Sequence, residues 1–197
     1  MKKISIICCF FFFALSCLGQ NWTQDQLNYA NTGMNAAYLN NVEKDAIMYI
    51  NLARLYPQQF INAEDLQNYT GPSEFGGYLK NSPYLQSLIN DLSKRSQAQR
   101  LVPDATIYNY SRCFAIEAGN NGIENHNRLN CPSGLYAAEC LSLGMQTGKD
   151  IALQWLIDHN TPSLGHRTNC LNPAYSKIGI SFYTHIKWGH CTVADFN

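Results

Sequence analysis

The sequence predicts an α+β domain, a three-layer α-β-α sandwich around a small, mostly antiparallel sheet. Helical periodicity dominates from Leu39 to about Gly119. Two alternating apolar runs, IGISFY and HCTVADF, close the chain as adjacent strands. One further helical pattern stands between them and a short strand. Helices gathered first and strands gathered late are the pattern of helices packed on an antiparallel sheet, not of a βαβ repeat.

The first twenty residues, MKKISIICCFFFFALSCLGQ, have the build of a secretory signal: Lys2 and Lys3, an apolar run from Ile4 to Leu15, then small residues. The run is shorter than the roughly 20 apolar residues a spanning helix needs, and no second such run follows. Cleavage after Gly19 is expected, giving a secreted chain without a transmembrane segment. Lipid anchoring at Cys17 is the weaker alternative, because ALSC lacks a leucine three places before the cysteine. Removing residues 1–19 from 197 leaves 178, enough for one domain with a sizeable core. Without Lys2 and Lys3 the 14 basic residues become 12 against 14 acidic ones, a net charge of −2. There is no basic stripe, which argues against nucleic acid as a partner.

From Leu39 to Phe60, Tyr49, Ala53, Tyr56 and Phe60 step by four, three and four, and Val42, Ala46 and Ile50 fill the neighbouring stripe. Pro57 is expected to end the regular part. In the turn-rich stretch 61–100, Leu85, Leu88 and Leu92 mark a short amphipathic helix. Asp104 caps the next helix, Ile107, Tyr110, Phe114 and Ala118 form its buried stripe, and Gly119 is expected to close it. The loop 121–134 carries His126, and the strand AAECLSL carries Glu139. Thr147 and Asp150 stand at capping-box spacing, and Ile151, Trp155 and Asp158 share one face of the helix they open. SLGHRTNCLNPAY then places His166 in a short polar turn after Gly165. The last strands follow, joined by a turn near Trp188 and Gly189.

Of the eight cysteines, Cys8, Cys9 and Cys17 leave with the signal. Cys113, Cys131, Cys140, Cys170 and Cys191 show no CxxC spacing, so in an exported chain they read as disulfide partners and not metal ligands. Five allow at most two bridges. The returning strands favour Cys170 with Cys191, without excluding the other pairings.

Three motifs in order carry a family resemblance: EKDAIMYINLARLYPQQF with Glu43, Asn51 and Arg54; the series His126, Glu139, Trp155 and Asp158; and GHRTNCLNPAYSKIGISFY closing with VADF. With them the chain resembles the CAP superfamily of cysteine-rich secretory proteins, venom antigens and plant pathogenesis-related proteins, in its bacterial form. The resemblance covers residues 38–197, which leaves 1–19 as the signal and 20–37 as an N-terminal extension. The chain departs from the family where Gly-Glu-Asn is replaced by Ala138-Glu139-Cys140, and where a glutamate is replaced by the shorter Asp158.

The resemblance implies that His126, Glu139, Asp158 and His166 converge in a cleft. Two neutral imidazoles there could hold zinc or another divalent cation, with the acids orienting the rings. Without metal, a histidine beside an acid is a general-base candidate. Spacing alone proves neither, since the four residues lie on different segments and the sequence has no HExxH and no GxSxG. Glu139, in an otherwise apolar strand, needs a partner. Asp158, at a helix C-terminus, needs compensation from His166 or His159. His159, His185 and His190 read as surface or packing residues, and Trp155, Tyr175, Phe182 and Trp188 as core. Glu43 and Arg54 read as groups that pin the first helix. The leading expectation is a secreted binding or scaffold module for an extracellular lipid, sterol, glycan or protein, not a conventional enzyme. The alternatives are a peptidase-like hydrolase, metal-assisted or histidine-based, and a structural or adhesive protein of the cell surface.

Overall fold

The computed structural model describes residues 21–197; the expected signal and Cys17 lie outside the described residues. Among these residues seven α-helices and four strands follow in the order α1 (Gln24–Ala30), α2 (Asn41–Leu55), α3 (Pro57–Ala63), α4 (Pro83–Lys94), β1 (Val102–Pro103), α5 (Ala105–Asn121), β2 (Ala138–Leu143), α6 (Gly148–Ile157), α7 (Gly165–Leu171), β3 (Lys177–His185) and β4 (Gly189–Phe196), with a short 3-10 turn at Ser73–Phe75. The sheet order is β1-β3-β4-β2. Only the two-residue β1 runs parallel to its neighbour; the other pairs are antiparallel. Helix α5 covers one face, and α2, α6 and α7 form the other helical layer. The expected three-layer sandwich is the observed one, with β2 at one edge of the sheet and the short β1 at the other.

Local chemistry sets most element ends. Asn40 and Glu43 form a reciprocal capping box at α2: Asn40 Oδ1 accepts the Glu43 amide at 3.0 Å, and Glu43 Oε2 accepts the Asn40 amide at 2.7 Å. Pro57 does more than stop α2, which already ends at Leu55. It opens α3 from the first position, where a missing N–H costs nothing. Helix α4 buries Leu85, Leu88 and Leu92 as the spacing predicts. Asp104 caps α5 through the amides of Thr106 and Ile107. The helix is closed by Gly122, at φ 66°, and not by Gly119. Gly119 instead allows close packing, because a Cβ there would overlap the Thr184 carbonyl of β3.

Other expectations need correction. His166 lies in the helix α7, not in a turn. Trp188 is half exposed and not core. The disulfide joins Cys113 to Cys131, while Cys140, Cys170 and Cys191 are free and buried. Cys191 cannot meet Cys170 because the sheet stands between them. Its thiol donates to Ala115 O on the α5 side, whereas Cys170 belongs to the core on the α2 and α6 side.

The pinning role read for Glu43 and Arg54 is observed. Glu43 Oε1 accepts the Phe182 amide of β3 at 2.8 Å. Arg54 donates to the carbonyls of Gln99, Cys170, Asn172 and Tyr175 at 2.7–2.9 Å. Asn51 bonds the carbonyls of Ala30 and Leu101 and accepts the Leu101 amide.

Candidate functional site

Two histidine–carboxylate pairs lie along β2. The first is built by the end of α6 and the start of α7. Asp158 takes the left-handed conformation (φ 56°, ψ 46°) that stops α6, and its carboxylate swings to the next helix. Oδ1 lies 2.8 Å from His166 Nδ1, and Oδ2 accepts the amides of His166 at 2.9 Å and Arg167 at 3.3 Å. Leu164 at the α7 cap position offers no side-chain acceptor, so Asp158 caps that helix from eight residues away. The α6 terminus disfavours this acid, and the α7 terminus compensates. Burial alone would raise the Asp158 carboxyl, but the bonds from His166 and the Arg167 amide outweigh it and hold the group below the usual carboxylate range. The missing methylene relative to glutamate does not break the pair.

Arg167, which stands in the GHR motif without a role read for it from the sequence, is buried beside this pair. It donates to Leu156 O and Ile157 O at the end of α6, and to Tyr84 O and Ser87 Oγ of α4. These bonds satisfy terminal carbonyls of α6 and lash three helices together.

The second pair is built on a loop. The chain between α5 and β2 is held by the Cys113–Cys131 bridge and by Glu117, which accepts the amides of Leu129 at 2.8 Å and Asn130 at 2.6 Å. His126 Nδ1 lies 2.7 Å from Glu139 Oε1, and Arg128 Nη2 donates to Glu139 Oε2. The Arg128 guanidinium also lies 4.4 Å from the Phe114 ring centre, a cation–π contact. Burial would raise Glu139, but His126 and Arg128 bring it below its ordinary value. Glu139 thus has the partners its place in an apolar strand demands.

A third acid belongs to this network. Asp195 pairs with Glu139 across β2 and β4 and is 0% exposed. Its Oδ2 accepts the Ser111 hydroxyl at 2.8 Å. Its Oδ1 stands 3.7 Å from Arg128 Nη2 and has no hydrogen-bond partner among the described residues. Burial, then the Glu139 charge, pushes Asp195 up to about 8, so it is the neutral member of the carboxyl pair near pH 7. Sequence reasoning missed it, although the argument applied to Glu139, an acid in an apolar strand, holds equally for VADF.

Each pair opens on its own pocket. His166 and Asp158 line a cavity of about 210 Å³ with Tyr78, Leu141, Gln154, Trp155 and Thr161. His159, expected at the surface or in packing, is half-buried, bonds Ser82 Oγ and also lines this cavity. His126 and Glu139 line a neighbouring one of about 670 Å³ with Arg128, Ser133 and Tyr136. The first takes Leu141 and Leu143 from β2, the second Ala138 and Glu139. Trp155 Nε1, fully buried, has no acceptor among the described residues; an unpaired buried N–H costs about 1–3 kcal/mol.

Residues 86–196 match the family described as CAP, the cysteine-rich secretory protein family. The chain belongs to this family. No curated protein matches the sequence. The CAP match contains both histidine–carboxylate pairs and Asp195, and it begins within α4. A divalent cation, which the resemblance implies, would meet His126 or His166 at Nε2, with Glu139 and Asp158 orienting the rings through Nδ1. Among the described residues no group of three or more His, Cys, Asp or Glu side chains could hold a metal ion.

Proposed function

We propose that this CAP domain is an exported binding module in which the two histidines are preset hydrogen-bonding stations for an extracellular ligand. One observation carries the reading: in both pairs the carboxylate takes Nδ1, so each ring is oriented and Nε2 is left for what enters the pocket. Fixing one ring nitrogen on a carboxylate selects the tautomer and orientation, as the carboxylates behind metal-bound and catalytic histidines do. Binding is favoured over turnover because the thiols beside the site are poor nucleophiles. Cys140 and Cys170 are 0% exposed, and burial drives the Cys140 thiol well above its ordinary pKa. The signal-like first twenty residues support export, and cleavage after Gly19 would make Gln20 the first residue of the exported chain.

The test compares the wild-type chain with the double variant His126→Ala/His166→Ala, shown to be folded by circular dichroism, on glycan, lipid and peptide arrays. The expected result is a ligand class retained by the wild type and lost by the variant. Equal binding by both proteins, or turnover of a peptide or ester panel that the variant loses, would sink the reading.

A further inference from the structure

We infer that Cys140 and Cys170 are the partners of a second disulfide, one that fastens helix α7 to strand β2. The inference goes beyond the binding reading and does not depend on it. Both thiols are 0% exposed and belong to the same buried cluster. Cys140 Sγ lies 3.8 Å from the carbonyl oxygen of His166 and 3.8 Å from Asn169 Nδ2. Residue 166 stands about one helical turn before residue 170, and each Cα–Cβ bond of a helix tilts toward its N-terminus. The Cys170 side chain therefore leans back over the turn on which Cys140 Sγ rests. The backbones are tied at the same place. Asn169, the residue before Cys170, donates to Glu139 O, the carbonyl before Cys140, at 3.2 Å. The two cysteine side chains interact, and that contact adds to burial in holding the Cys140 thiol well above its ordinary pKa.

No other cysteine competes for this pair among the described residues. Cys113 is bonded to Cys131, and Cys191 lies on the α5 side of the sheet. To close the bond, one cysteine gives up its proton, and its thiolate attacks a sulfur of an external disulfide such as oxidised glutathione, expelling one glutathione thiolate. The second cysteine, as thiolate, attacks the protein sulfur of this mixed disulfide and expels the other. The two protons lost by Cys140 and Cys170 end on the two glutathione thiols. The protein is thereby oxidised by two electrons and the external disulfide reduced by two. Only a thiolate attacks, and burial suppresses it once the fold is complete. The bond is therefore made while the chain folds. Helix α7 begins with His166 in its first turn, and β2 carries Glu139, so the bond would hold both histidine–carboxylate pairs at one spacing.

The experiment refolds the full chain from urea in a glutathione redox buffer that completes the Cys113–Cys131 bridge. The protein is then quenched in acid, unfolded, and labelled on its free thiols with N-ethylmaleimide. Digestion without reduction uses trypsin and a glutamate-specific protease, whose cut after Glu139 separates Cys131 from Cys140. The expected result is a linked pair of peptides carrying Cys140 and Cys170, with the label on Cys191 and on neither of them. Label on both Cys140 and Cys170, or a link from either to any other cysteine, overturns the inference. Hydrogen exchange reads the fastening. Amides of residues 166–171 should exchange about tenfold more slowly in the bridged protein than in Cys140→Ser or Cys170→Ser, refolded in the same buffer. Equal rates in a folded variant would mean that the bond forms without holding α7, and the fastening would be withdrawn. The peptide map decides the bond itself whether or not either variant folds.

Discussion

Two carboxyl groups face each other across β2 and β4, and their difference in environment makes the protein respond to pH in two directions. Asp195 is raised to about 8 by burial and by Glu139, against an ordinary value near 3.8. The folded state therefore binds a proton that the unfolded chain has lost between about pH 4 and 8. That contribution is complete below pH 4 and fades as the pH rises to 8. Glu139 and Asp158 are depressed; their contribution is present above about pH 4 and is lost as acid protonates them. Urea midpoints measured from pH 4 to 9 should fall on the alkaline side, and Asp195→Asn should flatten that fall by up to a few kcal/mol. An unchanged slope in the variant would remove Asp195 as its cause. Asp158→Ala removes two amide acceptors at the start of α7 and the His166 contact, and should cost about 1–3 kcal/mol by chemical denaturation. The Glu139 partnership was foreseeable from an acid in an apolar run. The cap from Asp158 to α7 was not, because it joins helices through a left-handed residue that sequence periodicity does not encode.

Helices with a strong apolar period and a side-chain cap, α4, α5 and α6, are legible in the sequence itself. Helix α7 is not: it has seven residues, its cap position is Leu164, and its acceptor comes from elsewhere. The disulfide is hidden for a related reason, since pairing depends on which face of the sheet each cysteine meets. The Cys113–Cys131 bridge spans 18 residues and encloses the segment that carries His126. Its reduction should lower stability by about 3 kcal/mol and speed amide exchange in residues 123–131 before that of the sheet. Equal exchange in the reduced and oxidised proteins would mean that Glu117 alone fixes the loop. The contact of α5 with β3 gives a test of sign. Gly119→Ala on an open helix face would stabilise by about 1 kcal/mol. Here the added Cβ overlaps the Thr184 carbonyl and comes within 2.8 Å of Tyr183 Cδ1, so a net loss of about 1–2 kcal/mol is expected from thermal unfolding.

The family match begins at residue 86, yet the fold does not divide there. Ile47, Ile50, Leu52 and Phe60, from the unmatched part, share one buried cluster with Leu153, Trp155, Ile178 and Phe196 from the matched part. Polar groups cross the same boundary. Lys149 pairs with Glu64 at 2.6 Å, and Asn51 joins the end of α1 to Leu101. Arg54 ties α2 to four carbonyls between residues 99 and 175. Burial lowers the Arg54 pKa to about 10, which leaves it charged at neutral pH, and its donors are met by carbonyl oxygens, with no carboxylate paired to it among the described residues. A fragment of residues 86–197 would expose one side of that cluster, and should show no cooperative unfolding by circular dichroism where the 21–197 domain does. Arg54→Met separates the two causes. It keeps much of the apolar stem but strands buried carbonyls, so it should cost about 3 kcal/mol or more. A loss below about 1 kcal/mol in urea would show that apolar packing alone joins the two parts, and that the guanidinium is replaceable.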